Sequence, residues 1–299
     1  MTTSAPVAPH TSYAVAHATD SGNALPIGVF DSGMGGLTVL RALQESLPQE
    51  RFLYLGDTAR LPYGTKSPDT IVRYSQQAAA FLLRRGVKCL VIACNTASAT
   101  ALAVLQAQYP QIPIIGVVEP GAMAGCRASR NGRIAVIATE GTVRGGAYQQ
   151  AIQRLNPSAQ VLAQACPLFV PLAEEGWVDG PIVSAVAQRY LLPLFVGEQA
   201  PDTLLLGCTH FPVFGSVLRE VLGERVTIVD SARTTAAALQ RLWIENPTLR
   251  SRAAAAQAKA VEFMVTDGPE RFVRVAVHFL GRELRSQDVE LIDPALAGN

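Results

Sequence analysis

Lysine is scarce in this sequence. Of its 25 basic residues only three are lysines: Lys66, Lys88 and Lys259. An enzyme that uses pyridoxal phosphate needs a lysine for its Schiff base. Lys66 lies in a turn-rich stretch, Lys88 precedes an apolar run, and Lys259 ends an Ala-rich segment. None of these positions is typical of such a site, so the sequence argues against pyridoxal phosphate chemistry.

An excess of charge and a long apolar run are also missing. The 25 basic and 24 acidic residues leave a formal charge of +1. Without a basic excess to neutralise phosphates, we expect no direct binding of nucleic acid. No stretch approaches the roughly 18 uninterrupted apolar residues of a membrane span, so we expect no membrane partner. A hydrophobic content of 49% over 299 residues still provides for a sizeable core in one large or two ordinary domains.

The N-terminal segment and the cysteines indicate the compartment. Residues 1–24 are rich in Ala, Ser, Thr and Pro, and they lack the basic start and apolar run of a secretory signal. We therefore expect a disordered tail over 1–24 and a cytoplasmic protein. The odd number of cysteines and the absence of a CxxC pair argue against disulfides and a structural zinc site. We interpret three of them as small buried hydrophobes: Cys89, Cys126 and Cys166.

Short apolar runs alternate with segments of helical periodicity, a pattern typical of an α/β protein with parallel strands. Strands are predicted at Pro26–Asp31, Arg51–Gly56, Cys89–Ala93, Ile114–Val118, Arg133–Thr139, Thr203–Gly207, Val226–Val229 and Val261–Thr266. Helices are predicted at Leu37–Glu45, Ser67–Arg85, Ala97–Gln108, Val143–Leu155, Gly180–Phe195, Phe211–Leu222 and Ala232–Leu242, and the Arg- and Ala-rich stretch Leu249–Ala260 is helical in composition.

The chain also resembles itself. IGVFDSGMGG at Ile27–Gly36 is echoed by IAVIATEGTV at Ile134–Val143, and LVIACNTASA at Leu90–Ala99 is echoed by LLLGCTHFPV at Leu204–Val213. Two matching pairs in the same order predict a duplicated α/β unit. The strand ends of the two units would face each other across a cleft, where ligands of open α/β sheets bind.

The glycine-rich segment after the first predicted strand does not fit a nucleotide loop. Thr38 stands where GxGxxG needs its third glycine, and GxxxxGK[ST] is absent. Either its backbone N–H groups hold a carboxylate, with Asp31 and Ser32 at the rim, or it is a tight turn with one of them as N-cap. Similarly, Tyr63 and Gly64 could offer a hydroxyl and a backbone donor to a ligand, or could belong to an ordinary turn.

Cys94 and Cys208 differ from the other cysteines. Each ends a predicted strand just before a helix, where the helix N-terminus lowers a thiol's pKa from about 8.5 toward neutrality. Asn95-Thr96 follow the first and Thr209-His210 the second. For a metal site, Cys208 and His210 lack a third ligand. A cysteine hydrolase needs only one thiolate with a base, and disulfide exchange usually needs CxxC.

Two opposed thiols suit the inversion of a carbon centre by proton transfer. One thiolate removes a proton from one face while a thiol delivers a proton to the other. An amino acid's α-hydrogen is a very weak acid, so the carboxylate must be stabilised by hydrogen-bond donors as charge develops. Side chains of the required kind are Ser32, Asn95, Thr96 and Thr209.

Five motifs taken together carry a resemblance. GVFDSGMGG, YLGDTARLPYG, ACNTASA, GVVEPGA and LLLGCTHFP, in this order, resemble the cofactor-independent glutamate racemases of the aspartate/glutamate racemase superfamily, from about Pro26 to Gly281. The resemblance implies interconversion of L- and D-glutamate, without cofactor or metal, that supplies D-glutamate for peptidoglycan. It also implies two pseudo-symmetric three-layer α/β domains with the site between them. The boundaries would lie near Val117 and Asp230: residues 25–117 plus 230–299 form the first domain and 118–229 the inserted second.

The resemblance also implies roles for individual residues. Cys94 and Cys208 would be the two acid/base residues, one for each face of the substrate. Asp31 and His210 would assist the thiols. A glutamate in CPLFVPLAEEG would have a similar supporting role; Glu174 and Glu175 both fit, and Glu174 is favoured. The implied substrate-binding residues are Asp31, Ser32, Tyr63, Gly64, Asn95, Thr96, Thr209 and His210.

The resemblance further implies a homodimer. Because some members of this family bind DNA gyrase, gyrase is a candidate protein partner. Three alternative functions remain open. Aspartate racemases tend to carry an acidic residue where His210 stands, and decarboxylases or isomerases of the same fold typically keep one of the two cysteines. A binding protein or regulator that has lost catalysis is the third alternative.

Overall fold

The structure is a computed structural model that describes residues 24–251 and 260–293. The predicted tail at 1–24 therefore lies outside the described residues, except for Ala24. The same holds for residues 252–259, which make up most of the predicted helical stretch Leu249–Ala260.

Two parallel sheets with helices around them confirm the predicted α/β class. The first sheet has the strand order β10-β9-β2-β1-β3-β4 and the second the order β6-β5-β7-β8. Every described strand pair is parallel. The strands are β1 Ile27–Asp31, β2 Phe52–Gly56, β3 Cys89–Ile92, β4 Ile114–Gly116, β5 Arg133–Ala138, β6 Gln160–Ala165, β7 Thr203–Gly207, β8 Thr227–Asp230, β9 Val261–Val265 and β10 Val289–Leu291.

Helices connect the strands, as parallel pairing requires. They are α1 Leu37–Ser46, α2 Pro68–Arg84, α3 Asn95–Gln108, α4 Val118–Ala128, α5 Glu140–Gly145, α6 Ala147–Leu155, α7 Phe169–Glu174, α8 Gly180–Leu191, α9 Gly215–Leu222, α10 Ser231–Glu245 and α11 Pro269–Leu280. In the described part of the chain, no helix combines the length and apolar character needed to cross a bilayer.

The strand order confirms the duplication. The run β2-β1-β3-β4 in the first sheet corresponds to β6-β5-β7-β8 in the second. The first echo pairs β1 with β5, and the second pairs β3 with β7. β1, β2, β3 and β7 are buried along their whole length, which explains why they read as continuous apolar runs.

Several elements were not predicted. β6, with the sequence QVLAQA, is a half-exposed edge strand and has no apolar run. The predictions also missed α4, α7, α11 and β10. The single helix predicted at Val143–Leu155 is wrong, because Gly146 adopts a left-handed conformation with φ +68° and separates α5 from α6.

The strands divide between the sheets in the intervals 117–132 and 231–260. The domain boundaries near Val117 and Asp230 fall within or beside these intervals and stay a prediction. α10, which follows the last strand of the second sheet, packs against α1 of the first. Buried residues of both parts, such as Leu40, Leu206 and Leu239, belong to one apolar cluster.

Candidate active site

Cys94 lies between β3 and α3, separated by one residue from the end of the strand and directly before the start of the helix. Its Sγ accepts a hydrogen bond from the backbone N–H of Ala97 at 3.4 Å, so the thiol itself caps the helix. Ala93 and Ala97 are fully buried, and their small side chains allow α3 to start close to the strand end. Cys94 is 5% exposed. The fold therefore places this thiol at the carboxyl edge of the first sheet, as predicted.

Cys208 occupies the corresponding place after β7 in the second sheet. It is also 5% exposed, and a 3₁₀ helix, Phe211–Phe214, begins three residues later. A negative charge on Cys208 raises the pKa of Cys94, so the two sulfurs lie within electrostatic reach of each other. The structure thus brings both cysteine motifs to one site.

Asp31, the last residue of β1, is completely buried at this site. Its Oδ2 accepts a hydrogen bond from the Gly33 N–H at 2.9 Å, and its Oδ1 has no partner among the described residues. Burial raises the pKa of Asp31. The charge of His210 acts to lower this pKa but does not compensate for burial. Gly36, rather than Asp31 or Ser32, precedes α1 as its N-cap, so the interpretation of either side chain as that cap is wrong. An unpaired buried carboxylate oxygen fits a group that meets a ligand.

The glycines of this loop allow it to pack closely against the second cysteine motif. A Cβ on Gly35 would overlap the side chains of His210 and Thr209, and one on Gly36 would overlap Asp31. In addition, Thr38 on α1 donates a hydrogen bond from Oγ1 to the Thr209 carbonyl at 2.9 Å. The glycine-rich segment therefore serves close packing between the two halves.

His210 connects Cys208 to a buried carboxylate. Its Nδ1 lies 3.8 Å from the Cys208 Sγ, and its Nε2 lies 3.2 Å from the Glu174 Oε1. The other oxygen of Glu174 accepts a hydrogen bond from Arg271 Nη2 at 2.9 Å. Glu175 is exposed, so of the two predicted glutamates Glu174 is the one that the structure brings to the site.

These contacts determine the charges of His210 and Glu174. Burial by itself lowers the pKa of His210, but the hydrogen bonds with Cys208 and Glu174 outweigh it and raise the pKa to about 10. Burial raises the pKa of Glu174, and His210 and Arg271 together bring it below its usual value. At neutral pH an imidazolium thus lies between the Cys208 sulfur and an ionised carboxylate.

The expected lowering of both thiol pKa values is wrong for Cys94. Burial raises the pKa of Cys94 to about 12, and the neighbouring Asp31 also acts to raise it. Hydrogen bonds from Ser32 and from the Ala97 N–H act in the opposite direction but do not compensate. Desolvation exceeds the effect of the helix N-terminus, so Cys94 is a protonated thiol in this structure.

The polar residues after Cys94 are buried and hydrogen-bonded. Asn95 accepts a hydrogen bond from the Tyr148 hydroxyl at 2.6 Å. The Thr96 hydroxyl lies 2.9 Å from that of Thr139 and 3.1 Å from that of Thr142. None of these three partners was predicted from the sequence. For Thr139 a signal existed, because the echo IAVIATEGTV aligns it with Ser32.

Tyr63 and Gly64 lie in a 3₁₀ helix beside the site. The Tyr63 hydroxyl donates to Asp57 Oδ2 at 2.5 Å, so in this structure it binds a carboxylate of the protein. A Cβ on Gly64 would come 2.7 Å from the Thr139 Cβ, which shows how tightly this turn meets α5. Asp57 is a further residue that was not predicted from the sequence.

The remaining cysteines lie outside this arrangement. Cys89 and Cys166 are buried as predicted, but Cys126 on α4 is only half-buried, so the interpretation of it as a buried hydrophobe is wrong. Within residues 24–251 and 260–293, no group of three or more His, Cys, Asp or Glu side chains could hold a metal ion.

Comparisons with known proteins find glutamate racemases among the relatives of this chain. The chain is 50% identical over 258 residues to a glutamate racemase of Geobacter metallireducens, an alignment that covers 86% of this chain and 93% of that protein. The crystal structure of glutamate racemase isoform RacE1 from Bacillus anthracis superposes with a TM-score of 0.82 at 36% identity, over 90% of this chain and 97% of that one. Glutamate racemase from Francisella tularensis, solved in complex with D-glutamate, superposes with a TM-score of 0.81 at 37% identity, over 91% and 98%.

A family model described as Asp/Glu/Hydantoin racemase matches residues 27–239, a range that contains both cysteine motifs and the buried Glu174. Together with the identity to the Geobacter protein, this match shows that the chain belongs to the Asp/Glu/hydantoin racemase family.

Proposed function

We propose that this chain is a glutamate racemase that inverts Cα by proton transfer between Cys94 and Cys208. The observation that carries the proposal is the pair of repeat-related cysteines, each buried at the end of a strand and each with its own ionisable neighbour. The glutamate racemase names of the relatives, and the D-glutamate bound to the Francisella enzyme, support glutamate as the substrate.

The chemistry follows from the placement of the two sulfurs. One cysteine thiolate takes the proton from Cα on its own face, so that the C–H bond breaks and an S–H bond forms. The opposite thiol then transfers its proton to the other face of the carbanion and becomes the thiolate. Each cysteine acts as base in one direction and as acid in the reverse direction.

The two cysteines have different ionisable neighbours. The imidazolium of His210 attracts negative charge on Cys208, whereas the Asp31 carboxylate opposes negative charge on Cys94. The free enzyme would therefore begin with a protonated thiol at Cys94. Ser32, Asn95, Thr96 and Thr209 would bind the charged groups of the substrate. A donor whose hydrogen bond strengthens as charge develops in the transition state is worth about 3 kcal/mol.

The test is racemisation of L-glutamate in D₂O by the purified protein without added cofactor. We expect the circular dichroism of the amino acid to decay to zero while deuterium enters Cα. L-Aspartate in a parallel reaction should keep its optical activity, because the relatives support glutamate. A flat signal with glutamate and no exchange would contradict the proposal, and faster decay with aspartate would favour the alternative substrate.

A second prediction concerns the alkaline side of the pH profile. Glu174→Gln removes a partner that raises the pKa of His210, so this pKa falls. If catalysis needs protonated His210, activity declines in the wild type as pH rises through about 10, and in the variant at lower pH. The measurement is kcat/KM against pH. Glu175→Gln, at the exposed neighbour, is the matched control and should leave the profile unchanged.

The stability that protonated His210 contributes is also expected to fall as the pH rises. The pKa of His210 in the folded protein lies above the ordinary histidine value of 6.5, so the stability from protonated His210 is complete below pH 6.5. It is lost as pH rises through about 10. An identical alkaline limb in wild type and Glu174→Gln would show that Glu174 does not act on His210.

As part of the same proposal, the enzyme would work in the cytoplasm and supply D-glutamate for peptidoglycan. The homodimer and the DNA gyrase partner stay predictions from the sequence resemblance. Light scattering of the purified chain tests the first, and a pull-down with purified gyrase tests the second.

A further inference from the structure

Tyr148 is a buried residue that the proposed mechanism does not use. It lies on α6 and is completely buried, yet its hydroxyl donates a hydrogen bond of 2.6 Å to the Oδ1 of Asn95. Asn95 directly follows Cys94. Tyr148, on a helix that connects two strands of the second sheet, thus contacts the segment that carries Cys94.

The ring of Tyr148 fits there because two glycines leave room for it. A Cβ on Gly121 of α4 would come 3.1 Å from the ring, and a Cβ on Gly207 would come 2.9 Å from it. Gly207 directly precedes Cys208. The tyrosine therefore spans both cysteine motifs, with its ring against the residue before Cys208 and its hydroxyl on the residue after Cys94.

This contact determines which end of the Asn95 amide is available. Its oxygen is engaged by Tyr148, and its nitrogen donates only one hydrogen bond in the described residues, a long one of 3.4 Å to the Ser231 Oγ. An amide nitrogen carries two hydrogens. The second N–H is therefore the group that Asn95 can offer to a carboxylate, whereas a reversed amide would present its oxygen and repel that ligand.

The tyrosine hydroxyl is well suited to hold this orientation. Burial and the charge of Cys208 raise the pKa of Tyr148, so the hydroxyl keeps its proton and donates. The hydrogen bond is buried, and a buried polar group left without its partner costs about 1–3 kcal/mol.

We propose that Tyr148 is a positioning residue that holds the Asn95 amide with an N–H toward the substrate carboxylate, and so determines the affinity for the amino acid. This inference rests on the proposed racemisation of glutamate. Tyr148 contacts Asn95, and its proposed role is exerted through that amide.

The test is Tyr148→Phe, which removes the hydroxyl and keeps the ring between the two glycines. We expect the KM for L-glutamate to rise by about 5- to 150-fold, the range that a lost buried hydrogen bond allows, with kcat changed by less than about threefold. Tyr190→Phe is the control, because the Tyr190 hydroxyl accepts a hydrogen bond from the Leu168 N–H and, among the described residues, has no hydrogen bond with Cys94, Asn95 or Cys208.

A double variant separates positioning from a general loss of packing. Without the Asn95 amide the hydroxyl has nothing to orient, so Asn95→Ala with Tyr148→Phe should have the same KM as Asn95→Ala alone. An unchanged KM in Tyr148→Phe, or additive effects in the double variant, would overturn the inference.

A second readout keeps this inference separate from the proposed function. If the wild type does not racemise glutamate, the proposed function fails. The side-chain amide signals of Asn95 in NMR spectra of the free protein then still test the positioning. A shift of these signals in Tyr148→Phe but not in Tyr190→Phe supports the inference, and identical signals in all three proteins overturn it.

Discussion

Cys94→Ser and Cys208→Ser are each expected to reduce kcat for racemisation at least about 100-fold, within the range of a lost general acid–base group. A serine hydroxyl fits the same buried position, but it is far too weak an acid and base to exchange a proton with Cα. Both cysteines are 5% exposed and nearly isosteric with serine, so the variants should stay folded.

The single variants also predict a stereochemical result. The remaining cysteine can still remove and return a proton on its own face, so each variant should exchange the α-hydrogen of only one enantiomer in D₂O. The exchanged enantiomer should differ between the two variants. Mass spectrometry of L- and D-glutamate after incubation measures this exchange.

Cys126→Ser is the matched control, because this thiol is half-buried on α4 and outside the site. It should retain wild-type kcat. Full turnover in either Cys94→Ser or Cys208→Ser, or exchange of the same enantiomer by both, would contradict the two-base assignment.

Lys88→Met is expected to lower the free energy of unfolding by about 3–5 kcal/mol, the cost of breaking a buried ion pair from one side. Lys88 Nζ lies 2.5 Å from Glu50 Oε2, and the two side chains are only 4% and 3% exposed. The other oxygen of Glu50 accepts hydrogen bonds from Trp243 Nε1 at 2.7 Å and from the Ser251 N–H at 3.0 Å. Methionine would leave this buried carboxylate without its cation.

The pH dependence has a definite sign. Burial by itself would raise the pKa of Glu50, but hydrogen bonds from Lys88, Ser251 and Trp243 outweigh it and lower the pKa. The stability that ionised Glu50 contributes is therefore present above the ordinary glutamate pKa of 4.5 and lost as pH falls through the lower folded value.

Urea unfolding followed by circular dichroism measures the effect. The matched control is Arg41→Met, which breaks the exposed Arg41–Glu45 pair on α1, whose side chains are 53% and 64% exposed. Such a surface pair is worth about 0–1 kcal/mol. If both variants lose the same small amount, the buried cluster does not stabilise the fold as described.

Strong local patterns could be predicted, and weak ones could not. The buried strands β1, β3 and β7 appeared as apolar runs, and the two echoes gave the duplication that the strand orders confirm. β6 was missed because an edge strand needs no apolar run. The break at Gly146 was missed because a left-handed glycine leaves the helical periodicity on both sides intact.

The residues of the candidate site were also predictable only in part. The sequence by itself determined which residues follow the strand ends, and thereby selected Cys94, Cys208 and the polar residues beside them, because parallel strands present their carboxyl ends at one edge. Only the tertiary structure decided what surrounds them. Tyr148 and Arg271 reach the site from helices distant in the chain, and no local pattern marks such contacts. The thiol pKa was likewise decided by tertiary structure: motif spacing shows the helix N-terminus that lowers it, but only the folded chain shows the burial that raises the pKa of Cys94 to about 12.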